Sequence, residues 1–170
     1  MSTMSGPSKM TMARFEFQGI NEYAEQLSKL SDESETMIKR AVYDGAAVVA
    51  EEVKSEISGL SASDRNPSEG EELTLLSYEK EGLLNGLGLS TMKNENGYIN
   101  TKLGFSGYNR LKSKTYPKGH PNVMIARAIN SGTSIRRKNP FMTRAIRKAK
   151  ENAEKAMAAR FDEDTKNIIK

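Results

Sequence analysis

At 170 residues, with 36% hydrophobic residues and a mean hydropathy of −0.64, the chain is long enough for one domain with its own core and too apolar to be read as disordered throughout. It has no cysteine and one histidine, His120, which excludes disulfides, thiolate chemistry and zinc sites built from Cys and His. The net charge of +4 conceals a sharper asymmetry, because residues 14–81 hold sixteen acids against seven bases while residues 110–150 hold twelve bases and no acid.

Residues 1–12 are Ser, Thr, Met, Gly and Pro with one Lys and one Thr-Met pair at the end, a composition that cannot build a core. They are expected to form a flexible arm, or an extension ahead of a start at Met10 or Met12, leaving residues 13–170 as a single domain. No stretch approaches the roughly 20 consecutive apolar residues of a membrane helix, and the N-terminus lacks the apolar core of a secretory signal. The chain is therefore expected to stay in the compartment that makes it, with no membrane partner.

Phe15-Glu-Phe17 alternates apolar and polar residues ahead of Gly19 and predicts a short strand. Asn21 can cap a short helix through Leu30 that gathers Tyr23, Leu27 and Leu30 on one side. Ser31, followed by Asp32, Glu33 and Glu35, sets a hydroxyl and negative charge where the free amides and dipole of a helix start favour both. The helix predicted over 33–58 has one apolar stripe of Ile38, Val42, Val49, Val53 and Ile57, and Gly59 ends it. Its small residues Gly45, Ala46, Ala47 and Ala50 would let a second backbone approach closely.

Residues 61–72 read as a solvated, mobile loop, being rich in Ser, Asp, Asn, Pro, Gly and Glu. Leu87, Leu89 and Thr91 alternate with small or polar neighbours, Glu95-Asn-Gly97 supplies a turn, and Ile99, Thr101, Leu103 and Phe105 alternate on the return, which predicts a β-hairpin. Residues 106–121 form a long basic loop punctuated by Gly and Pro. Asn122 can then cap a short helix over 123–130 that ends near Gly132, with a strand as the alternative. Asn139 and Pro140 open a last helix that turns Phe141, Ala145, Ala149, Ala153, Ala156 and Phe161 to the core and ends near Asp164. The order of elements predicts an α+β fold, a small antiparallel sheet with a hairpin packed against two long helices.

Catalytic inventories find little here. His120 lies between Gly119 and Pro121 with no triad-like arrangement of Ser around it, and a surface loop residue is the simpler reading. Glu51, Glu52 and Glu56 lie mainly off the apolar stripe and read as a solvated helix face before a metal cluster. No glycine-rich phosphate loop is followed by Lys-Ser or Lys-Thr. No enzymatic activity, cofactor, metal or small-molecule substrate is therefore expected.

The basic stretch divides into two kinds of residue. Gly132 frees the backbone to turn, Thr133 can bond a local amide, Pro140 presets a helix start and Phe141 anchors it by burying a ring. Between these framing residues Arg136, Arg137 and Lys138 are expected to project from a loop as interface candidates, together with Lys112, Lys114 and Lys118 in the preceding basic loop. With Tyr108 and Tyr116 interleaved, the cations also suit phosphate contact, but no helix-turn-helix, RRM or zinc-finger pattern is present, so non-specific DNA binding is the alternative function.

The long helix, the segment Gly82-Leu-Leu-Asn-Gly-Leu-Gly-Leu-Ser90 leading into a hairpin, and above all Ile129-Asn-Ser-Gly-Thr133 followed by Asn139-Pro-Phe141 at an Ala-rich last helix carry a family resemblance. In these features the layout from Phe15 to Asp164 resembles the tailed-bacteriophage head-tail joining and tail-completion proteins, the minor-tail-protein-Z-like group. The chain departs from that pattern where the family often has Glu shortly before Gly-Thr, having Ala128, Ile129, Asn130 and Ser131 instead, and in its long loop of residues 60–81. The resemblance implies a virion protein assembled in the host cytoplasm, forming a ring of six copies, or twelve, at the head-proximal end of a tail. Its implied partners are itself, a tail terminator or tail tube, neck or head connector proteins, and DNA passing through the lumen.

Overall fold

The computed structural model describes residues 32–169, so the arm of residues 1–12, the strand expected at Phe15–Phe17, the helix from Asn21 to Leu30 and the Ser31 cap lie outside the described residues. Helix α1 (Asp32–Gly59) buries Ile38, Val49, Val53 and Ile57 of the expected stripe, whereas Val42 is half-buried and its small neighbour Ala41 takes the fully buried position. It packs along α4 (Phe141–Ile169), which turns Phe141, Ala145, Ala149, Ala153, Met157 and Phe161 inward at steps of four. Burying a side chain the size of Ile57 or Phe141 contributes about 1.5–3 kcal/mol, so this contact carries much of the core.

Two details of α4 differ from expectation. Met157 takes the buried position and Ala156 is only half-buried, because the inward row advances by four residues and Ala156 falls beside it. The helix also continues past Asp164 to Ile169: no Gly or Pro stops it, and the Asp164 carboxylate is buried 3.6 Å from Arg40 of α1. Small residues bring the two helices close. A Cβ on Gly45 would overlap Met157 Cγ and stand 3.3 Å from the Ala153 carbonyl oxygen, which is why a glycine is tolerated in mid-helix despite a propensity cost of about 1 kcal/mol.

Helix α2 (Ser77–Gly86) is not predicted by the sequence, in which Gly82 and Gly86 stand at the entrance of the hairpin. Its start is held by Glu79, whose carboxylate accepts the Leu76 N–H at 3.0 Å. Its last residue has to be small, since a Cβ on Gly86 would overlap the Ser106 carbonyl oxygen, and the Ser106 N–H donates to the Gly86 carbonyl at 2.8 Å.

The hairpin forms as expected but in two sections. Strand β1 (Leu87–Leu89) pairs antiparallel with β4 (Leu103–Phe105), and β2 (Lys93–Glu95) with β3 (Tyr98–Asn100). Three residues on the outgoing side, 90–92, face two on the return, 101–102, so the register slips by one, as at a β-bulge. The slip leaves Thr91 exposed while Ile99, Thr101, Leu103 and Phe105 all remain buried. Asn96 and Gly97 turn the chain with φ of 57° and 85°, the left-handed pair that a two-residue hairpin turn requires.

Helix α3 (Asn122–Ser131) lies against α2 and β4 and buries Ile125, Ala126 and Ile129. Asn122 does not cap it. Pro121 occupies the cap position, and the Asn122 side-chain amide donates instead to the Ser106 carbonyl at 2.9 Å, tying the helix to the end of β4. The fold is α+β, four helices and a two-part antiparallel hairpin among the described residues, with the core between α1, α4 and the hairpin. Gly45→Val is expected to lower stability by about 1–3 kcal/mol through overpacking against Met157, and Met157→Ala in the same chain to recover part of that loss; urea unfolding of the two single variants and the double variant measures the coupling.

Candidate functional site

The framing residues of the basic stretch act much as their chemistry predicts. Gly132, at φ 75°, ends α3 in a conformation that other residues resist. Thr133 Oγ1 accepts the N–H of Arg136 at 3.0 Å and of Ile135 at 3.3 Å, closing a tight loop, and the Thr133 N–H donates to the Arg136 carbonyl at 2.8 Å. Pro140 stands one residue before α4, its carbonyl accepting the first helical bond from Arg144, and Phe141 is fully buried with its ring edge-on to Phe105 at 6.3 Å. Asn130 adds a cap that the sequence did not advertise: its side-chain oxygen accepts the Met142 N–H at 3.2 Å, so the end of α3 caps the start of α4.

Arg136 corrects the expectation that three adjacent cations project from this loop. Its side chain is 5% exposed, and Nη2 donates to both carboxylate oxygens of Glu79 at 3.1 Å. The tight Thr133 turn aims the residue inward, and burial is tolerated because Glu79, 7% exposed, supplies the opposite charge. Its Nη1 has no hydrogen-bond partner among the described residues. Arg137 and Lys138 do face solvent, and the loop tip exposes Ile135. Leu73 N–H donates to the Ile135 carbonyl at 2.7 Å, binding the acidic segment beneath to this loop.

Glu56 corrects the expectation of a solvated acidic face on α1. Its carboxylate, 9% exposed, accepts from Arg144 at 3.0 Å and from Lys148, both on the first turns of α4, whereas Glu51 faces solvent. The hydrogen bond from Lys148, reinforced by that from Arg144, holds the Glu56 carboxyl below its ordinary range, and the same contact raises the Lys148 ammonium. A groove of 680 Å³ opens beside this cluster, lined by Arg137, Lys138, Arg144 and Lys148 and floored by Leu60, Leu75 and Ile129.

The second cationic surface is the loop between β4 and α3. Tyr108 bridges to Pro121, and the Asn109 N–H donates to the His120 carbonyl at 2.9 Å, so the loop ends meet. Asn109 organises the interior, its side-chain oxygen accepting the N–H groups of both Leu111 and His120 at 3.1 Å. Gly119 is needed where the two sides cross, with φ 108° and a Cβ position that would overlap the Asn109 carbonyl oxygen. His120 is half-buried with its ring 4.6 Å from that of Tyr116. Lys112, Lys114 and Lys118 are exposed and make no ion pair among the described residues, and the Arg110 guanidinium sits 5.8 Å over the Tyr78 ring.

The six interface candidates are therefore not one patch. Lys112, Lys114 and Lys118 share one loop, Arg137 and Lys138 share another, and Arg136 is internal. Among the described residues no group of three or more His, Asp or Glu is placed to hold a metal ion, and no helix is long and apolar enough to cross a membrane. No family model, curated protein or solved structure matches the chain.

Two outcomes are expected. Arg136→Ala leaves Glu79 buried without its counter-charge and should cost about 3–5 kcal/mol in chemical unfolding, whereas Arg136→Met with Glu79→Leu should recover most of it. Glu56, with its folded pKa depressed, contributes stability that is complete above the ordinary carboxyl value of 4.5 and is lost as pH falls through the lower folded value. Melting temperature should therefore drop on the acid side less steeply in Glu56→Gln than in the parent chain.

Proposed function

We propose that this chain is a structural subunit of a tailed bacteriophage or phage-tail-like particle. In this reading it forms a ring at the head-proximal end of the tail, completes the tail and joins it to the neck or head. The resemblance in the Gly132-Thr133 and Asn139-Pro-Phe141 elements supports the family. The observation that carries the reading is the separation of uncompensated charge: Lys112, Lys114 and Lys118 stand unpaired on one loop, and Asp64, Glu69 and Glu72 stand exposed and unpaired on another among the described residues. Unlike surfaces of opposite sign on one chain favour head-to-tail association of copies, and such contacts form a ring where the rotation from copy to copy closes.

The ring has six copies in this reading, or twelve, with a tail terminator or tail tube on one side and neck or head proteins on the other. It acts without enzymatic chemistry or cofactor, is built in the host cytoplasm and remains in the virion. Phage DNA passes through its lumen. A second reading, a small non-specific DNA-binding protein, draws on Tyr78, Tyr108, Arg110, Lys112 and Lys118, which line a 500 Å³ groove with aromatic rings beside cations.

Native mass spectrometry of the purified chain separates the two. A six- or twelve-fold species that dissociates as ionic strength rises is expected, since exposed charge pairs are screened beyond about 8 Å at physiological salt. A monomer at all salt concentrations, with DNA affinity falling steeply as salt rises, would transfer the assignment to the second reading.

A further inference from the structure

We infer that the basic loop of residues 109–120 in one copy docks on the acidic segment of residues 64–72 in the next, and that this pairing is the repeating contact of the assembly. The inference rests on the ring reading above and names the surfaces that build it.

Elsewhere in the described chain the exposed acids either stand singly, as Glu33, Glu51, Glu81, Glu95, Glu154 and Asp162 do, or pair within the chain, and the partly buried ones pair as well. Glu35 pairs with Lys39, Asp44 with Arg160, Glu56 with Arg144 and Lys148, and Glu151 with Lys155. In the segment 64–72 the balance differs: its one base, Arg65, is taken by Glu71 at 2.8 Å, which leaves Asp64, Glu69 and Glu72 exposed without a cation. The basic loop is the counterpart, with Arg110, Lys112, Lys114 and Lys118 exposed and no acid between them.

Both surfaces are already shaped before they meet. The acidic segment is pinned by Glu71, which accepts from Arg65 and from the Ser68 N–H at 2.8 Å, by Ser63 bridged to Leu76, and by the Leu73 bond to Ile135. It is thus the solvated loop that its composition suggests, tied by hydrogen bonds within itself and to its neighbours. Asn109 and the Tyr108–Pro121 bridge close the basic loop in the same way. Two ordered loops lose little backbone entropy on contact, so modest electrostatic attraction is better converted into affinity. The basic loop also exposes Tyr108, 54%, and Leu111, 44%, apolar surface that a dry contact beside the charges would cover. A contact between two different loops of one chain is heterologous, so each copy has one of each to offer and the contact propagates from copy to copy.

Reciprocal charge reversal tests it. One variant carries Lys112→Glu, Lys114→Glu and Lys118→Glu; the other carries Asp64→Lys, Glu69→Lys and Glu72→Lys, sparing Glu71. Each is checked for a parent-like thermal transition, with Gln replacing the reversed residues at any set that fails it. Either variant alone is expected to be monomeric by native mass spectrometry. An equimolar mixture is expected to regain the multimer as an alternating array, because every junction again joins opposite signs. Retention of assembly by either variant alone, or failure of the mixture to assemble, overturns this pairing and leaves the ring reading standing. A monomeric parent chain overturns both. Restored assembly only on addition of a DNA oligonucleotide assigns the basic loop to nucleic acid and also overturns the pairing.

Discussion

The buried contact between Arg136 and Glu79 is the constraint on which the functional half of this structure depends. Glu79 stands near the start of α2 and Arg136 in the loop between α3 and α4, so the pair joins segments 57 residues apart in sequence. A guanidinium and a carboxylate that are both more than nine-tenths buried have little hydration left, and each is tolerable only because the other is present. The same Glu79 carboxylate accepts the Leu76 N–H, which links the charge pair to the start of α2 and to the acidic segment before it. Fixing Arg136 fixes Ile135, and Ile135 holds Leu73. The acidic segment and the loop that carries Arg137 and Lys138 are thereby held in defined positions relative to the core.

The long helices form the frame around this pair. Their approach depends on Gly45 and the alanine row of α4, and Glu56, Arg144 and Lys148 add charge pairs along the rim of the same interface. The rim also decides which cations of the basic stretch are used within the chain. Arg144 and Lys148 belong to α1 as much as to α4, whereas Lys112, Lys114 and Lys118 have no internal counterpart among the described residues. A positive block of sequence is thus split by the fold into internal and external charge.

Much of the frame was legible in the sequence because periodicity is a local signal. The stripe Ile38, Val49, Val53 and Ile57, the row from Phe141 to Phe161, and Asn96-Gly97 in the hairpin each state their geometry within a few residues. Helix α2 was not legible, since its Gly82 and Gly86 argue against a helix until Ser106 and Asn122 are seen to occupy the space that side chains would take. The long-range pairings were equally hidden. Nothing near Arg136 distinguishes it from Arg137, and the inward turn comes from Thr133 while the tolerance for burial comes from Glu79, far away in the chain. Glu56 reads as a solvated residue in the sequence because its partners lie on another helix.

Adjacent arginines in the basic stretch have opposite environments, Arg136 inside and Arg137 outside. Modification of the folded protein by an arginine-specific dicarbonyl reagent, read site by site by mass spectrometry, tests this most directly. Arg137 should react readily while Arg136 stays protected until the chain is unfolded by denaturant. Equal reaction of the two in the folded protein would contradict the account.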